Sequence, residues 1–154
     1  LNKLFIGNAF VEYLALGKLK NIAYIASQRL NKISNGHYAL TVNESGDFLI
    51  IDNFNNGETR RSATLSGGES FLVSLSLALA LSSQIQLKSK SSLEFFFLDE
   101  GFGTLDNQLL DRVISSLESL RDNEKMNIGL ITHVEELKER VPRKLIVTPP
   151  ISGA

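Results

Sequence analysis

Two glycines stand between a serine and a glutamate in the segment Ser66-Gly67-Gly68-Glu69. The first backbone N–H groups of a helix have no partner within it, and the helix dipole adds about half a positive charge there, so this position attracts phosphate. Glycine lets a ligand approach the backbone because it carries no Cβ. Ser66 and Glu69 also have the spacing of a capping box, in which each side chain bonds the backbone N–H of the other. The segment therefore predicts a capped helix start that offers a surface for phosphate.

Two acids, Asp99 and Glu100, directly follow the apolar run Phe95–Leu98. If this run is a parallel strand, the acids stand at its carboxyl end, where such sheets bind ligands. There Asp99 would hold Mg²⁺, usually through water, against the phosphates of a nucleotide. Glu100 would orient or deprotonate the attacking water. The structural alternative is a strand that ends in two solvated acids, which is common.

Two further positions depend on the same strand ends. The turn Gly101–Asp106 contains Thr104, and its Asp106 has the residue type that caps a following helix. Functionally, this turn would carry polar groups across a subunit boundary beside the phosphates. His133 follows the apolar run Asn127–Ile131, and a single histidine is more often structural than catalytic. At the end of a neighbouring strand, however, it would donate a hydrogen bond to a γ-phosphate or to the attacking water.

The elements that must position these residues can be read from hydrophobic spacing. Helices are predicted over residues 3–34, 66–83, 106–120 and 134–140, strands over 38–42, 48–51, 94–98, 127–131 and 144–147, and a loop over 82–92. The helix from residue 66 is apolar almost all round and is therefore expected to be buried. The strand at 94–98 is expected to be a buried parallel strand. Helix and strand alternate in the second half, which favours an α/β layer with a parallel sheet.

Composition restricts the remaining possibilities. The chain has 154 residues, 43% of them hydrophobic, and a net charge of −1. It is long enough for one globular domain, and its charge excludes a strongly basic arm that coats nucleic acid. The absence of cysteine excludes a disulfide scaffold, a thiol nucleophile and a cysteine-ligated zinc site within this chain. No uninterrupted apolar run approaches the ~20 residues of a membrane span, so a cytoplasmic fragment of a larger protein is expected.

The sequence lacks one motif that nucleotide-binding proteins commonly carry. The chain has no Gly-x-x-x-x-Gly-Lys-Ser/Thr segment, which is the loop that cradles a nucleotide. Residues 133–136 do not form a His-Glu-x-x-His zinc motif, and His37 is the other histidine. The sequence thus has residues suited to a γ-phosphate but lacks the loop that holds the nucleotide.

Together these motifs resemble the ABC-type ATPases. The signature, Walker B strand, catalytic glutamate, D-loop and switch histidine of that family are matched in order by Leu65–Glu69, Phe95–Asp99, Glu100, Gly103–Asp106 and His133. By this resemblance, Thr104 and Asp106 are the D-loop residues.

Two longer segments, Leu65–Leu81 and Leu98–Asp106, are similar to the SbcC family of bacterial DNA-repair ATPases, which partner the SbcD nuclease. Membrane-transporter ATPases typically carry Gln and Pro at the positions of Glu69 and Gly101. Chromosome-structure (SMC) proteins usually have a different run after the Walker B acids. On these residues the chain is identified as a member of the SbcC family.

The resemblance implies an α/β fold that forms the carboxy-terminal lobe of an ATPase head, with a mainly parallel sheet. Residues 1–154 would form one domain: a helix leading in from a coiled coil at 1–36, a small β-meander at 37–62, and the lobe with the signature helix at 63–154. An amino-terminal half of the same protein would supply Walker A. The chain alone is therefore expected to lack ATPase activity.

The resemblance also implies the roles of the site residues. Two heads would sandwich two ATP molecules, with Ser66, Gly67, Gly68 and Glu69 contacting the γ-phosphate on the other head. On its own head, the chain would use Asp99 for Mg²⁺ and Glu100 and His133 for hydrolysis. The cycle would control an SbcD-like nuclease that processes double-stranded DNA ends, in the cytoplasm and associated with the nucleoid.

Two alternatives stay open. One is an SMC-type DNA-clamping head that works without a nuclease. The other is an interaction domain in which the capping box and the acidic strand end are only structural. Any DNA groove is expected to be built by two complete heads. The basic residues of this chain are accordingly expected to form a solvated surface: Lys88, Lys90, Lys138, Arg140, Arg143 and Lys144.

Overall fold

The computed structural model describes residues 9–88, 95–124 and 126–148. Its helices are α1 (Ala9–Ile33), α2 (Gly67–Lys88), α3 (Asn107–Glu124) and α4 (Glu135–Arg140). Its strands are β1 (Tyr38–Val42), β2 (Phe48–Asp52), β3 (Glu58–Arg61), β4 (Phe95–Asp99) and β5 (Asn127–Ile131). Short 3₁₀ helices occupy Ser62–Thr64 and Phe102–Thr104. A mixed α/β fold, as predicted, is confirmed.

Helix α1 is the support against which the first half of the chain packs. It contacts both α2 and β1. Its buried residues recur every three or four positions, which places them on one face: Ala23, Ala26, Leu30 and Ile33. The helix ends as predicted at Asn35 and Gly36, which adopt left-handed conformations with φ of 54° and 83°. The predicted start at residue 3 lies outside the described residues.

The predicted β-meander is present as a three-stranded antiparallel sheet in the order β1-β2-β3. Tyr38 stands opposite Asp52 in the first pair of strands. In the first hairpin loop, the Asn43 side-chain oxygen accepts hydrogen bonds from the backbone N–H groups of Ser45 and Asp47, at 3.0 and 2.8 Å. The loop is thus closed by an asparagine side chain, in the manner of an Asx turn.

Helix α2 is longer than predicted, because it continues to Lys88. The prediction of a loop is wrong for residues 82–88, and residues 89–92 lie outside the described ranges. Two of the polar residues that suggested a loop, Ser83 and Gln84, form hydrogen bonds with α1 instead. Ser83 Oγ donates to the Leu79 carbonyl at 3.0 Å and accepts a hydrogen bond from Arg29 Nη2 at 2.6 Å. From sequence alone, polar residues that join two helices therefore cannot be distinguished from those of a loop.

The burial of α2 changes along its length. Its buried apolar residues are Leu72, Val73, Leu75, Leu79 and Ala80. Leu81 is exposed, so the expectation that the helix is buried all round is wrong at this position, and Ile85 and Leu87 in the additional turns are exposed as well. Over residues 67–87 the helix is also long and apolar enough to cross a bilayer, which counting uninterrupted apolar runs did not foresee. This is a weak indication, because core helices pass the same test.

The parallel pair consists of β4 and β5, with Phe95 opposite Asn127 and Asp99 opposite Ile131. Phe95 and Phe97 point to the same face of β4 and are 58% and 68% exposed. The prediction of a buried strand is therefore wrong for this face. Strands that are buried on both sides need a covering layer on each side, and the described residues leave this one uncovered.

The predicted last strand at 144–147 is absent, since these residues have no strand structure. Leu145, Ile146 and Val147 are largely exposed. β-branched and apolar residues favour a strand only when a neighbouring strand offers hydrogen bonds and packing, and none does so here within the described residues. Only two strands of the described part of the chain are parallel, so the expectation of a mainly parallel sheet is not confirmed.

Gly17 and Gly36 both have open space at the position of a Cβ, so alanine at each site tests the backbone conformation alone. A Cβ added at Gly17 in α1, or at Gly36 after it, meets nothing within 4 Å, but only Gly36 has a positive φ, of 83°. We expect Gly17→Ala to raise the free energy of unfolding by about 1 kcal/mol, because alanine is a better helix former. We expect Gly36→Ala to lower it by about 1–2 kcal/mol, because a Cβ is strained in the left-handed region.

Urea unfolding of the Gly17→Ala and Gly36→Ala variants measures the two changes in the free energy of unfolding. Destabilisation by Gly17→Ala would mean that α1 is not a regular helix at that position. A neutral effect of Gly36→Ala would mean that the helix does not end in a left-handed residue.

Candidate functional site

The predicted capping box forms at the start of α2. The backbone N–H of Ser66 donates to Glu69 Oε2 at 2.7 Å, and the backbone N–H of Glu69 donates to Ser66 Oγ at 3.3 Å. The first of these bonds has the short length of a hydrogen bond to a charged acceptor. Helix α2 then begins at Gly67. The two ends of the signature segment are therefore linked by reciprocal hydrogen bonds within the segment.

The two glycines of this segment are packed against the turn that follows β4. A Cβ at Gly67 would lie 3.2 Å from Thr104 Cγ2, and one at Gly68 would lie 3.1 Å from the Thr104 carbonyl oxygen. Both distances are tighter than ordinary van der Waals contact. The glycines thus allow the 3₁₀ turn Phe102–Thr104 to approach the helix start. This reason for two glycines within the chain was not predicted.

The Glu69 carboxylate is held by more than the capping box. Its Oε1 accepts hydrogen bonds from the Tyr38 hydroxyl and from Arg60 Nη2, both at 2.7 Å. Tyr38 begins β1 and Arg60 lies in β3, so the carboxylate connects two strands of the meander to the start of α2. Its side chain is only 17% exposed. Sequence reasoning identified Glu69 but missed these two partners.

A second acid extends this network. Arg60 Nη2 also lies 3.6 Å from Asp52 Oδ2, and His37 Nε2 lies 3.2 Å from Asp52 Oδ1. The His37 ring stacks against Tyr38 and Phe54, with centroid distances of 4.0 and 4.5 Å. As predicted, His37 is a loop residue, and the structure adds that it is packed on both faces.

These contacts change the protonation behaviour of the network. Burial favours the neutral form of Glu69, but hydrogen bonds from Ser66, Arg60 and Tyr38 outweigh it and lower the pKa of Glu69 from 4.5 to about 2. Burial and the hydrogen bond to Glu69 raise the pKa of Tyr38 from 10.0 to about 12. The same hydrogen bond raises the pKa of Arg60. The network is therefore an ionised carboxylate held by a cation and a neutral phenol.

The strand-end acid Glu100 is positioned by the backbone of both parallel strands. Its N–H donates to the Ile131 carbonyl at 2.8 Å, which extends the ladder by one bond beyond β4. It then turns with a φ of 57°, a left-handed conformation that is unusual for glutamate. Gly101 follows with a φ of 94°. Two successive left-handed residues redirect the chain sharply at the strand end.

The two strand ends bring Glu100 and His133 together. Glu100 Oε2 lies 2.7 Å from His133 Nδ1, although the residues belong to different strand ends. A Cβ at Gly103 would lie 3.8 Å from the other ring nitrogen, Nε2, so the D-loop borders the histidine. Both side chains are open to solvent, with exposures of 47% for Glu100 and 78% for His133. Such a pair can orient a water molecule and accept its proton.

The remaining strand-end residues take different positions. Asp99 is exposed, and within the described ranges no three His, Cys, Asp or Glu side chains form a group that could hold a metal ion. The polar side chains of the D-loop both make bonds within the chain. Thr104 Oγ1 donates to the Gly101 carbonyl at 3.0 Å, and Asp106 Oδ1 accepts a hydrogen bond from the Leu109 N–H at 2.8 Å, which caps α3 as predicted.

The cleft beside the signature segment does not include the strand-end residues. An open cleft of about 610 Å³ is lined by Ser66–Glu69 together with Thr104, Asp106 and Arg112. Asp99, Glu100 and His133 do not line it. The chain thus presents two separate groups of candidate residues, which we call the signature cleft and the strand-end pair.

Two of the basic residues near the end of the chain form ion pairs with acids. Lys138 pairs with Glu135, and Arg140 pairs with Asp111. These pairs are typical of a solvated surface. Lys90 lies outside the described residues.

The Glu69 network predicts a pH dependence. Because the pKa of Glu69 is lower in the folded chain than its ordinary value, the carboxylate stabilises the fold above pH 4.5, and this contribution is lost as the pH falls toward 2. We expect Glu69→Gln to lower the free energy of unfolding by about 1.5–3 kcal/mol at pH 7, since hydrogen bonds to a charged group are lost. The difference from the wild type should shrink between pH 4.5 and 2.

Chemical unfolding across this pH range measures the effect. Glu44→Gln is the matched control, because Glu44 is an exposed acid in the first hairpin loop and should show no such difference. A difference between Glu69→Gln and the wild type that stays constant from pH 5 to 2 would contradict an ionised Glu69.

Comparison with known proteins matches this chain to one family. The family model described as SbcC/RAD50-like, Walker B motif, covers residues 38–119. The chain is 52% identical over 153 residues to the SbcC subunit of the SbcCD nuclease of Clostridium acetobutylicum, covering 99% of this chain and 13% of that protein. It is 52% identical over 149 residues to the protein of the same name from Bacillus subtilis, covering 97% of this chain and 13% of that protein.

Solved structures show the same fold at low identity. A structure described under "ATP-driven dimerization and DNA stimulated activation of SMC ATPases" matches with a TM-score of 0.66 and 18% identity, over 90% of this chain and 83% of the other. The SMC head domain of Thermotoga maritima matches with a TM-score of 0.56 and 21% identity, over 84% of this chain and 44% of that one. The fold is that of an SMC-like head, and by sequence the chain belongs to the SbcC/RAD50-like family.

Proposed function

We propose that this chain is the carboxy-terminal half of an SbcC-like ATPase head that works against a second head. The observation that carries the proposal is the separation of the signature cleft from the strand-end pair. A chain that hydrolysed a nucleotide alone would bring a phosphate-binding backbone and a water-orienting acid to one point. A chain that completes its sites with a partner copy needs the two groups on different surfaces.

In this proposal, ATP holds two heads together. Ser66, Gly67, Gly68 and Glu69 of one head contact the γ-phosphate of the nucleotide on the other. The capping box supports this role because it fixes the segment before any ligand arrives. ADP lacks the γ-phosphate and loses this contact, so hydrolysis releases the dimer. Thr104 and Asp106 hold the D-loop beside the segment.

The strand-end pair would perform hydrolysis on its own head. Glu100 accepts a proton from the attacking water as the water oxygen bonds to the γ-phosphorus and the bond to the ADP oxygen breaks. His133, with its proton on Nδ1, donates to Glu100 Oε2 and so orients the carboxylate toward the water. The short Nδ1–Oε2 distance of 2.7 Å supports this division of roles.

Asp99 is the proposed residue for Mg²⁺, through a bound water. One exposed carboxylate at a strand end fits this ion, because Mg²⁺ keeps several waters and takes its other ligands from phosphates. When bound, Mg²⁺ would neutralise charge on the phosphate oxygens. The residues of this chain require no zinc for the proposed function.

The rest of the head would come from an amino-terminal half that carries Walker A. The chain spans only 13% of the length of its two curated relatives, and it leaves Phe95 and Phe97 uncovered. The exposed apolar residues 145–147 would form a strand once a neighbouring strand is present. We assign residues 1–36 to a helix from a coiled coil, 37–62 to the meander and 63–154 to the lobe. Without the other half, this chain would be inactive.

The two relatives are named as part of a nuclease, SbcCD, which supports a nuclease partner of the SbcD type. The complex would then process double-stranded DNA ends in repair and recombination, in the cytoplasm and associated with the nucleoid. An SMC-type clamp without nuclease is less well supported. The SMC structures resemble the chain in fold at 18–21% identity, whereas the SbcC relatives reach 52%.

The proposal predicts a composite ATPase. With ATP and Mg²⁺, we expect negligible hydrolysis by this chain alone and clear hydrolysis after mixing with a Walker A-bearing amino-terminal half. Glu100→Gln should lower the hydrolysis of the mixture by about 10²- to 10⁴-fold, because the general base is lost. ATP-dependent dimerisation should remain.

Phosphate release and size-exclusion chromatography measure the two effects. Glu118→Gln is the control, because Glu118 is an exposed acid of α3. Absence of hydrolysis by a mixture that demonstrably forms a complex would contradict the proposal. Full activity of the chain alone would show that it binds ATP without Walker A.

A further inference from the structure

The turn that carries Glu100 needs support from outside itself. Glu100 and Gly101 both have positive φ, of 57° and 94°. For glutamate this conformation is unfavourable and persists only where surrounding contacts impose it. The Glu100 N–H bond to Ile131 and the Thr104 Oγ1 bond to the Gly101 carbonyl supply two such contacts. Both are hydrogen bonds, and neither closes the space beside the Gly101 Cα.

Phe71 of α2 closes that space. A Cβ placed on Gly101 would lie 2.5 Å from Phe71 Cδ2 and 2.6 Å from Cε2, so the ring edge occupies the position of a side chain. The Phe71 ring also packs on Phe102, with a centroid distance of 5.0 Å and an angle of 59° between the planes. Phe102 is 1% exposed, so this end of the ring is fixed in the core. The ring is a rigid stop against the backbone next to Glu100.

From this contact we infer that Phe71 is a positioning residue for Glu100 and that it links the signature segment to the strand-end pair. Phe71 lies five positions after Ser66 in sequence, and its helix begins with the signature segment. A shift of the helix start therefore moves the ring that bears on Gly101. The inference rests on the proposed function, because it assigns the ring to the hydrolytic use of Glu100.

Ordinary core packing is the competing explanation, and a double-mutant cycle distinguishes it. Gly101→Ala introduces backbone strain and a clash with the Phe71 ring, whereas Phe71→Ala removes the ring. If the ring positions the turn, Gly101→Ala should harm hydrolysis less in the Phe71→Ala background than in the wild type. The reduction in kcat of the double variant would then be smaller than the product of the two single reductions, as expected for residues in contact.

The cycle is measured in the full-length protein as kcat at saturating ATP and as the ATP concentration for half-maximal head dimerisation. We expect Phe71→Ala to lower kcat about 10- to 100-fold, because a misplaced reacting group costs this much. Half-maximal dimerisation should change less than about twofold, since the capping box at Ser66 is intact. Phe71→Leu should give an intermediate kcat.

Phe48→Ala is the matched control, because Phe48 is also a partly buried phenylalanine packed on the core but lies in β2. It should reduce thermal stability without lowering kcat. Equal kcat values for Phe71→Ala and Phe48→Ala, or strictly multiplicative effects in the cycle, would overturn the inference. If Phe71→Ala does not fold, the same cycle with Phe71→Leu gives the same two outcomes.

The closing comparison is with Glu100→Gln in the same preparation. If Glu100→Gln hydrolyses ATP normally, the proposed function fails. If Glu100→Gln is inactive and Phe71→Ala is normal, only the positioning role fails.

Discussion

The shape of the signature segment depends on one carboxylate that accepts hydrogen bonds from three parts of the chain. Glu69 receives the backbone N–H of Ser66, the hydroxyl of Tyr38 and the guanidinium of Arg60, each at 2.7 Å. These donors come from the helix start, from β1 and from β3. The small antiparallel meander therefore supports the start of α2 through two hydrogen bonds to Glu69. A mostly buried carboxylate is stable there because every donor that faces it favours the ionised form.

The start of α2 also connects the signature cleft with the strand-end pair. Gly67 and Gly68 allow the D-loop turn to pack on α2, and this turn directly follows Glu100. The packing places the signature segment and the strand-end pair on connected but different surfaces. A second head is then the simplest way to bring such groups to one phosphate. In the proposed dimer, the contact with the γ-phosphate, which ADP lacks, would provide the switch.

Local sequence signals predicted the elements whose conformation is decided locally. Asn35-Gly36 predicted the end of α1, and the spacing of Ser66 and Glu69 predicted the capping box. Strand ends also placed Glu100 and His133 in the same region, because parallel strands end on one side of a sheet. Features that depend on partners distant in sequence could not be predicted. The run at 144–147 has strand composition but no neighbouring strand within the described residues. Tyr38 and Arg60 lie 31 and 9 residues before Glu69, beyond the reach of a local helix-start pattern.

Two residues that set this chain apart from the transporter pattern are explained by local geometry. A glutamine at position 69 would offer one oxygen and a donor group, whereas all the groups that face the site are donors, so one donor would lose its partner. Proline at position 101 would require a φ near −65°, but the turn has a φ of 94° and the Phe71 ring fills the side-chain position. Glu69 and Gly101 are therefore determined by two different parts of the fold, the meander for Glu69 and the Phe71 ring of α2 for Gly101. Since both contacts involve the first turns of α2, the start of this helix is the place where the signature segment and the turn that carries Glu100 constrain each other.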